Sequence, residues 1–265
     1  LRELEEELGK QLLIRGTKGS RKVLLTDEGM ILRKRAEEIL TLVQKAKSEV
    51  QMTDASIAGD VYIGAGETDI IRYFARAAKR MKKSCPDIRY HISSGNAQFV
   101  TEQLDKGLID FGLMYGPVDR TKYEALTLPI GDRFGVLMRR DDPLAQKEWI
   151  SPEELRDKPL ILSAQDRSEG WTVSSQIRQD VSHLNVAATY NLIFNASLMV
   201  EEGLGYAVCL DKLINTSGDS QLCFLPLRPE IVITPSIVWK RYQVFSKASE
   251  RFLQELTSVM DLPQK

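Results

Sequence analysis

Leu32, Ala36, Ile39, Val43, Ala46 and Val50 recur at spacings of 4, 3, 4, 3 and 4. That is the heptad rhythm of a helix with a single narrow apolar seam. Thr26 stands where an N-cap is needed, and Asp27 and Glu28 follow in the first turn, where the helix dipole favours negative charge. The pattern predicts one long helix over residues 27–52, with Arg33, Lys34, Glu37, Glu38, Lys45 and Lys47 covering much of the remaining surface. A seam this narrow makes no core of its own. It lies either on a partner helix or on the chain's own globular domain, and a helix of this length suits the partner better. Residues 26–58 are therefore expected to be a dimerising linker and hinge, with the six seam residues as its contact and the small, polar stretch 53–59 as its boundary.

Upstream, Leu1, Leu4 and Leu8 lie on one helical face and Gly9 is a stop signal. With no capping residue before Leu1, this helix is expected to begin further upstream. Two short apolar runs, 12–14 and 23–25, flank a turn holding Gly16, Gly19 and Ser20, which predicts a β-hairpin. Residues 10–22 carry five bases, Lys10, Arg15, Lys18, Arg21 and Lys22, and no acid. Such a hairpin either lies along a phosphate backbone as a wing or is a solvated loop. The question is local, because the whole chain has a net charge of −1 and no general pull toward nucleic acid or membrane.

From residue 60 the pattern changes to strands alternating with helices, the mark of an α/β chain with largely parallel sheets. Strands are expected at 61–65, 88–93 and 109–115, with helices at 68–83 and 97–106. Residues 126–139 hold two extended runs broken at Gly131-Asp132. Further strands are expected at 160–162, 186–190, 205–210 and 237–241, with helices near 171–179, 196–203 and 246–260. At 265 residues, with 43% apolar and 28% charged, the chain can bury the cores of more than one domain.

Several chemistries find no support. Cys85, Cys209 and Cys223 are far apart without a C-x-x-C pair, so they read as reduced thiols rather than zinc ligands. No stretch nears the ~20 apolar residues of a membrane span, and the charged opening is no signal peptide, so a cytoplasmic protein without membrane contact is expected. Gly64-Ala65-Gly66 follows a strand, but Asp69 leaves the dinucleotide fingerprint incomplete. There is neither a phosphate loop nor an H-E-x-x-H helix, and the two histidines, His91 and His183, sit in no catalytic pattern, His91 falling in an expected strand as a structural residue. No enzyme activity and no cofactor are expected.

The run from Leu4 to Gly29 resembles the LysR family of regulators. Leu4-Glu5-Glu6-Glu7-Leu8-Gly9 is similar to that family's recognition-helix ending, residues 11–15 to its following strand, 16–22 to its basic wing, and Leu25-Thr26-Asp27-Glu28-Gly29 to the opening of its linker helix. Leu13–Ile14 departs, standing where an aromatic is common. The resemblance continues through 59–69, 93–117, 134–145 and 198–213, with Asp142 at a usual histidine and Asp211 at a usual proline. It implies a winged helix-turn-helix remnant at 1–25 and an effector-binding domain at 59–265. That domain would comprise two Rossmann-like subdomains of the periplasmic-binding-protein type, I at 59–129 and 231–265 and II at 130–230. The implied partners are double-stranded DNA in the full-length protein, a small-molecule effector, and further copies of the chain as a homodimer or homotetramer. The helices that read base edges would precede Leu1. The wing contacts would be Arg15, Lys18, Arg21 and Lys22. Two other classes compete: a solute-binding protein serving transport, and an enzyme on a doubly wound fold, which rests on fold analogy alone.

Ligands in such folds bind at strand carboxyl ends near helix starts. With the resemblance, this points to Glu67, Thr68, Ser94, Asn96 and Asn195, with Trp171 as a wall of the cleft or a core residue. Thr68 and Asn96 either cap helices or face the ligand. Glu67 stands where the family often has a small or hydroxyl residue. If it faces the cleft, it favours an effector that offers an amine or hydroxyl; otherwise it points to solvent.

Overall fold

Glu5 organises the start of the chain. Helix α1 (Arg2–Leu8) ends at Gly9, whose φ of 61° lies in the left-handed region. The Glu5 carboxylate then accepts the amides of Leu12 at 2.8 Å and Leu13 at 3.0 Å, turning the chain into strand β1 (Leu13–Arg15). Strand β2 (Val23–Leu25) pairs with it antiparallel, Leu13 opposite Leu25, as the expected hairpin. The Thr26 hydroxyl donates to the Gln11 carbonyl at 2.7 Å and accepts the Gly29 amide at 3.0 Å. It thereby caps helix α2 (Asp27–Val50) and fastens it to the segment that leads into β1. A Cβ at position 29 would stand 2.1 Å from the Leu12 carbonyl oxygen, so only glycine allows this approach.

The computed structural model describes residues 1–15, 23–50, 57–164 and 184–261. The helix expected over 171–179, Trp171, and the wing residues Lys18, Arg21 and Lys22 lie outside them. The chain divides into two compact units, Leu1–Thr53 and Asp54–Lys265. On α2, Leu32 and Ala36 are half-buried, while Ile39 and Val43 stand open at 59% and 42% exposure and Ala46 is exposed. Val50 is the last residue of the helix.

The second unit carries two sheets, each mixed rather than purely parallel. The strands of the first are β3 (Gly59–Ala65), β4 (Ile88–Ser94), β5 (Phe111–Met114), β6 (Tyr123–Thr127) and β13 (Ser236–Lys240). Their order across the sheet is β4-β3-β5-β13-β6. The β3, β4 and β5 strands run parallel, and β13 returns antiparallel between β5 and β6. Helices α3 (Ile71–Met81), α4 (Ala97–Asp105) and α6 (Lys247–Met260) belong to this lobe. Helix α3 is shorter than the pattern predicts, because the carbonyls of residues 68–70 accept tighter i→i+3 bonds, from Ile71, Arg72 and Tyr73, at its start.

The second sheet is built from β7 (Asp132–Arg139), β8 (Leu160–Ser163), β9 (Val186–Tyr190), β10 (Tyr206–Leu210) and β11 (Leu222–Pro226), with helix α5 (Ile193–Glu201). These strands lie in the order β11-β7-β10-β8-β9. Side chains of β7 alternate between two cores. Val136 and Met138 join Ile150, Leu155, Leu160 and Val208 on one face. Leu137 joins Ile161, Ala196, Val200 and Cys209 on the other. Period-2 alternation with both faces apolar is what a strand buried between two layers requires. The pattern did not predict β11: Leu222-Cys223-Phe224-Leu225-Pro226 lacks alternation and ends in proline, and the strand exists by pairing with β7.

The lobes meet where the chain crosses between sheets. Outbound, residues 128–132 lead from β6 to β7; inbound, 231–236 lead back to β13. Strand β12 (Val232–Ile233) pairs with Asp132 and Arg133, so the two crossovers lie side by side. The Leu128 amide bonds the Pro235 carbonyl at 3.0 Å, and the Phe134 amide bonds the Ile231 carbonyl at 2.9 Å. A Cβ on Gly131 would meet the Val232 side chain at 2.6 Å and the Ile233 carbonyl oxygen at 2.8 Å.

In the first lobe Phe252 of α6 is fully buried and packs on Phe74, Tyr90 and Phe111 with ring centroids 5.9, 5.4 and 6.1 Å away. Truncating it empties the contact between α6, α3 and the sheet. Phe252→Ala is expected to cost about 3–5 kcal/mol in urea unfolding followed by circular dichroism. A loss under about 1 kcal/mol would show that this cluster does not hold the lobe together.

Candidate functional site

Between the two sheets lies a cleft of about 520 Å³, within the range of small-molecule sites. The first lobe supplies Gly66 and Glu67 after β3, Gly95 and Ala97 around the start of α4, and Leu113 to Pro117 at the end of β5. The second lobe supplies Phe134, Leu162, Ser163, Tyr190, Asn191, Ile193, Val208, Leu210 and Leu213. The inbound crossover contributes Val232, Ile233 and Thr234. The lining is thus mostly apolar, with a few polar groups at strand ends.

Glu67 spans the cleft. Its Oε2 accepts the backbone amide of Ile193 at 2.6 Å, the first residue of α5 in the opposite lobe. Leu192 occupies the N-cap position of α5 and has no polar side chain to offer, so the helix start is capped from the other lobe. The helix dipole strengthens the bond, because the carboxylate sits at its positive end.

A second link lies behind the cleft wall. The Thr68 hydroxyl donates to Asp132 Oδ2 at 2.5 Å and accepts the Ile70 amide at 3.0 Å. The Tyr115 hydroxyl donates to the same Asp132 oxygen. Thr68 follows β3 and Tyr115 follows β5, whereas Asp132 begins β7. Burial pushes the Asp132 carboxyl above its ordinary range, while the bonds from Thr68 and Tyr115 pull in the other direction. Burial, with the charge of Asp132, pushes the Tyr115 phenol up, so Tyr115 stays protonated and remains a donor to Asp132.

Of the residues predicted from sequence, Glu67 lines the cleft. Thr68 is buried beside it, bonded to Asp132. Asn96 is exposed, and its side chain caps α4 by accepting the Phe99 amide at 2.8 Å; its neighbours Gly95 and Ala97 line the cleft instead. Ser94 is exposed at the end of β4, and Asn195 is exposed on α5 two residues past Ile193. Tyr115, Ser163 and Tyr190 were not predicted, although each stands at a strand carboxyl end, where the same rule would have found them. Phe134 and Thr234 carry no such signal, since the placing of the crossovers is a tertiary matter.

His91 lies on β4, half-exposed, with Nε2 2.7 Å from Asp60 Oδ1 and its ring stacked on Tyr62 at 4.6 Å. It is not one of the residues that line the cleft. Burial pushes the Cys209 thiol up to about 12, which keeps it an inert core group. Among the described residues no cluster of potential metal ligands occurs, and no helix is long and apolar enough to cross a membrane.

Residues 54–261 match the family model of the LysR substrate binding domain. The chain belongs to the LysR family of transcriptional regulators. Among curated relatives, the HTH-type transcriptional regulator YvbU of Bacillus subtilis is 26% identical over 231 residues, covering 87% of this chain and 74% of that protein. A probable RuBisCO transcriptional regulator of Synechocystis sp. is 26% identical over 260 residues, covering 96% of this chain and 74% of that protein. Among solved structures, full-length CbnR in complex with its target DNA has a TM-score of 0.71 at 14% identity, covering 97% of this chain and 87% of that one. A full-length OxyR variant from Pseudomonas aeruginosa has a TM-score of 0.61 at 21% identity, covering 100% of this chain and 87% of that one. At these identities the structural likeness speaks for the fold. This LysR-family regulator therefore has the two-lobed α/β domain that its motifs implied.

Asp132 makes the site's stability depend on pH. A carboxyl whose folded pKa is raised binds protons more tightly in the native state, so its contribution falls as pH rises from the ordinary aspartate value through the raised one. Asp132→Asn keeps an oxygen to accept from Thr68 and Tyr115 but no longer titrates. Between about pH 4 and about pH 7 the wild type is expected to lose more stability, or gain less, than the variant, measured by urea unfolding. Parallel pH profiles would place Asp132 outside this linkage.

Proposed function

We propose that this chain senses a small-molecule effector in the cleft between its two lobes and so controls a DNA-binding transcriptional regulator. The observation that carries the reading is the cleft itself. It lies at strand carboxyl ends, is lined from both lobes and by the inbound crossover, and is bridged by Glu67. A ligand touching both lobes has differential contacts with open and closed arrangements, which is what a population shift needs. The transport reading is less favoured, since the relatives are named as transcriptional regulators. The same names, with no enzyme signature in the sequence, support a protein that binds its effector without turning it over. They also support a cytoplasmic location.

Duplex DNA is the proposed second partner. The basic hairpin residues Arg15, Lys18, Arg21 and Lys22 would contact phosphates, adding affinity that falls with salt and carries no sequence preference.

A screen of small metabolites by thermal shift tests the effector reading. A ligand that binds the folded chain raises its melting temperature, by about 2.7 kcal/mol of added stability at a hundredfold excess over its Kd. The shift should vanish when Gly66 or Ser163 is replaced by a bulky residue that fills the cleft. A ligand whose shift survives such filling binds elsewhere, and the cleft reading fails.

The seam of α2 is proposed as the dimer contact. Ile39 and Val43 are open on the single chain, and Leu32, Ala36, Ala46 and Val50 continue their line. Pairs of such dimers would form the homotetramer that the family resemblance implies. Introducing aspartate at both Ile39 and Val43 buries unpaired charge in the contact and should dissociate it. Sedimentation of the double variant should give half the wild-type mass or less; an unchanged mass would remove the seam from the interface.

A further inference from the structure

The one acid and the two phenols among the described residues that line the cleft have no side-chain proton to offer a ligand. Glu67 can only accept, and one of its oxygens is already engaged by the Ile193 amide. The Tyr115 hydroxyl spends its single proton on Asp132, away from the cleft. The Tyr190 hydroxyl spends its proton on the Val208 carbonyl, at 2.8 Å. Two phenols that would normally offer donors to a ligand therefore offer none. Ser163, Asn191 and Thr234 are uncharged, and their hydroxyl and amide groups can donate or accept, so they set no preference of charge. Among the described residues lining the cleft there is one acid, Glu67, and no lysine, arginine or histidine. Asp132, directly behind Tyr115, adds a second carboxyl close to the same wall.

A ligand carboxylate entering here would lose its hydration, face like charge, and meet phenols whose protons are committed elsewhere. A ligand N–H or O–H would meet acceptors. The rest of the lining, Leu113, Phe134, Leu162, Val208 and Ile233 among it, suits an apolar body. We propose that the cleft selects an uncharged or cationic effector with an apolar body and a hydrogen-bond-donating head, and that Glu67 is the residue that sets this preference against anions. The proposal rests on the cleft being the effector site and adds the chemical class of what enters it.

The test uses three probes with one cyclohexane body and different heads: cyclohexylmethylammonium, cyclohexanecarboxamide and cyclohexanecarboxylate. Each is titrated into the full chain, and amide NMR shifts of Ser163, Ile193 and Thr234 are followed. The ammonium and the carboxamide are expected to saturate these shifts at concentrations about tenfold or more below the carboxylate, the scale of one charge-assisted hydrogen bond. A carboxylate that binds as tightly as the other two overturns the proposal while leaving the cleft as a site. Shifts confined to residues outside the cleft, with all three probes, overturn the cleft reading itself and the proposal with it. In Glu67→Gln the ratio of ammonium to carboxylate affinity should fall about tenfold. An unchanged ratio in a variant whose remaining spectrum matches the wild type would remove Glu67 as the selecting group. The wild-type ranking stands as a test even if that variant does not fold.

Discussion

The chain passes between its two sheets twice, and both passages run through one narrow place. Outbound and inbound segments pair there as β7 and β12, close enough that Gly131 has no room for a Cβ against Val232 and Ile233. The site depends on this pairing. It puts the carboxyl ends of β3 and β5 opposite those of β8 and β9, and it makes Phe134, Val232, Ile233 and Thr234 part of the cleft lining. Two neighbouring strands form a hinge more readily than a broad interface does, because rotation disturbs few packed side chains.

Around that hinge two carboxyl groups join the lobes. Asp132 is buried and collects hydroxyl donors from Thr68 and Tyr115. Glu67 reaches across and caps α5. Any separation of the lobes at this edge has to break the Glu67 bond. A hydrogen bond to a charged group contributes roughly 1.5–3 kcal/mol, which biases a two-state equilibrium by about ten- to a hundredfold. That is enough to hold a resting arrangement and little enough for a ligand to override. The residue that bridges the lobes is thus also the one acid among the described residues that line the cleft.

The first unit follows a different logic. Glu5, Thr26 and Gly29 lock α1, the hairpin and the start of α2 through local bonds. Farther along α2 the apolar positions Ile39 and Val43 stand open on the single chain. A helix so fastened at its start presents Ile39 and Val43 in a defined direction.

Local signals carried most of the elements. The heptad spacing, the Thr26 cap and the Gly9 stop mark α1 and α2, and alternation or apolar runs mark β3, β7, β8 and β10, because those patterns reflect burial on one or both faces of a single element. The strand-end rule and the family resemblance together led to Glu67. What Glu67 does was not legible: the helix start it caps is Ile193, 126 residues away in sequence, and no periodicity encodes such a distance. Thr68 reads from sequence as a cap or a ligand contact; in the structure it accepts the Ile70 amide and is one of the donors to Asp132. Strand β11 was invisible because only its pairing with β7 makes it a strand. That the hydroxyl protons of Tyr115 and Tyr190 are engaged was illegible for the same reason, since their acceptors come from other segments of the chain. The sequence by itself determined most of the elements, their α/β order and the family, because these are written in short local patterns and motifs. The tertiary structure alone decided which groups face the cleft and whether they donate or accept, because that depends on where the two crossovers bring distant residues together.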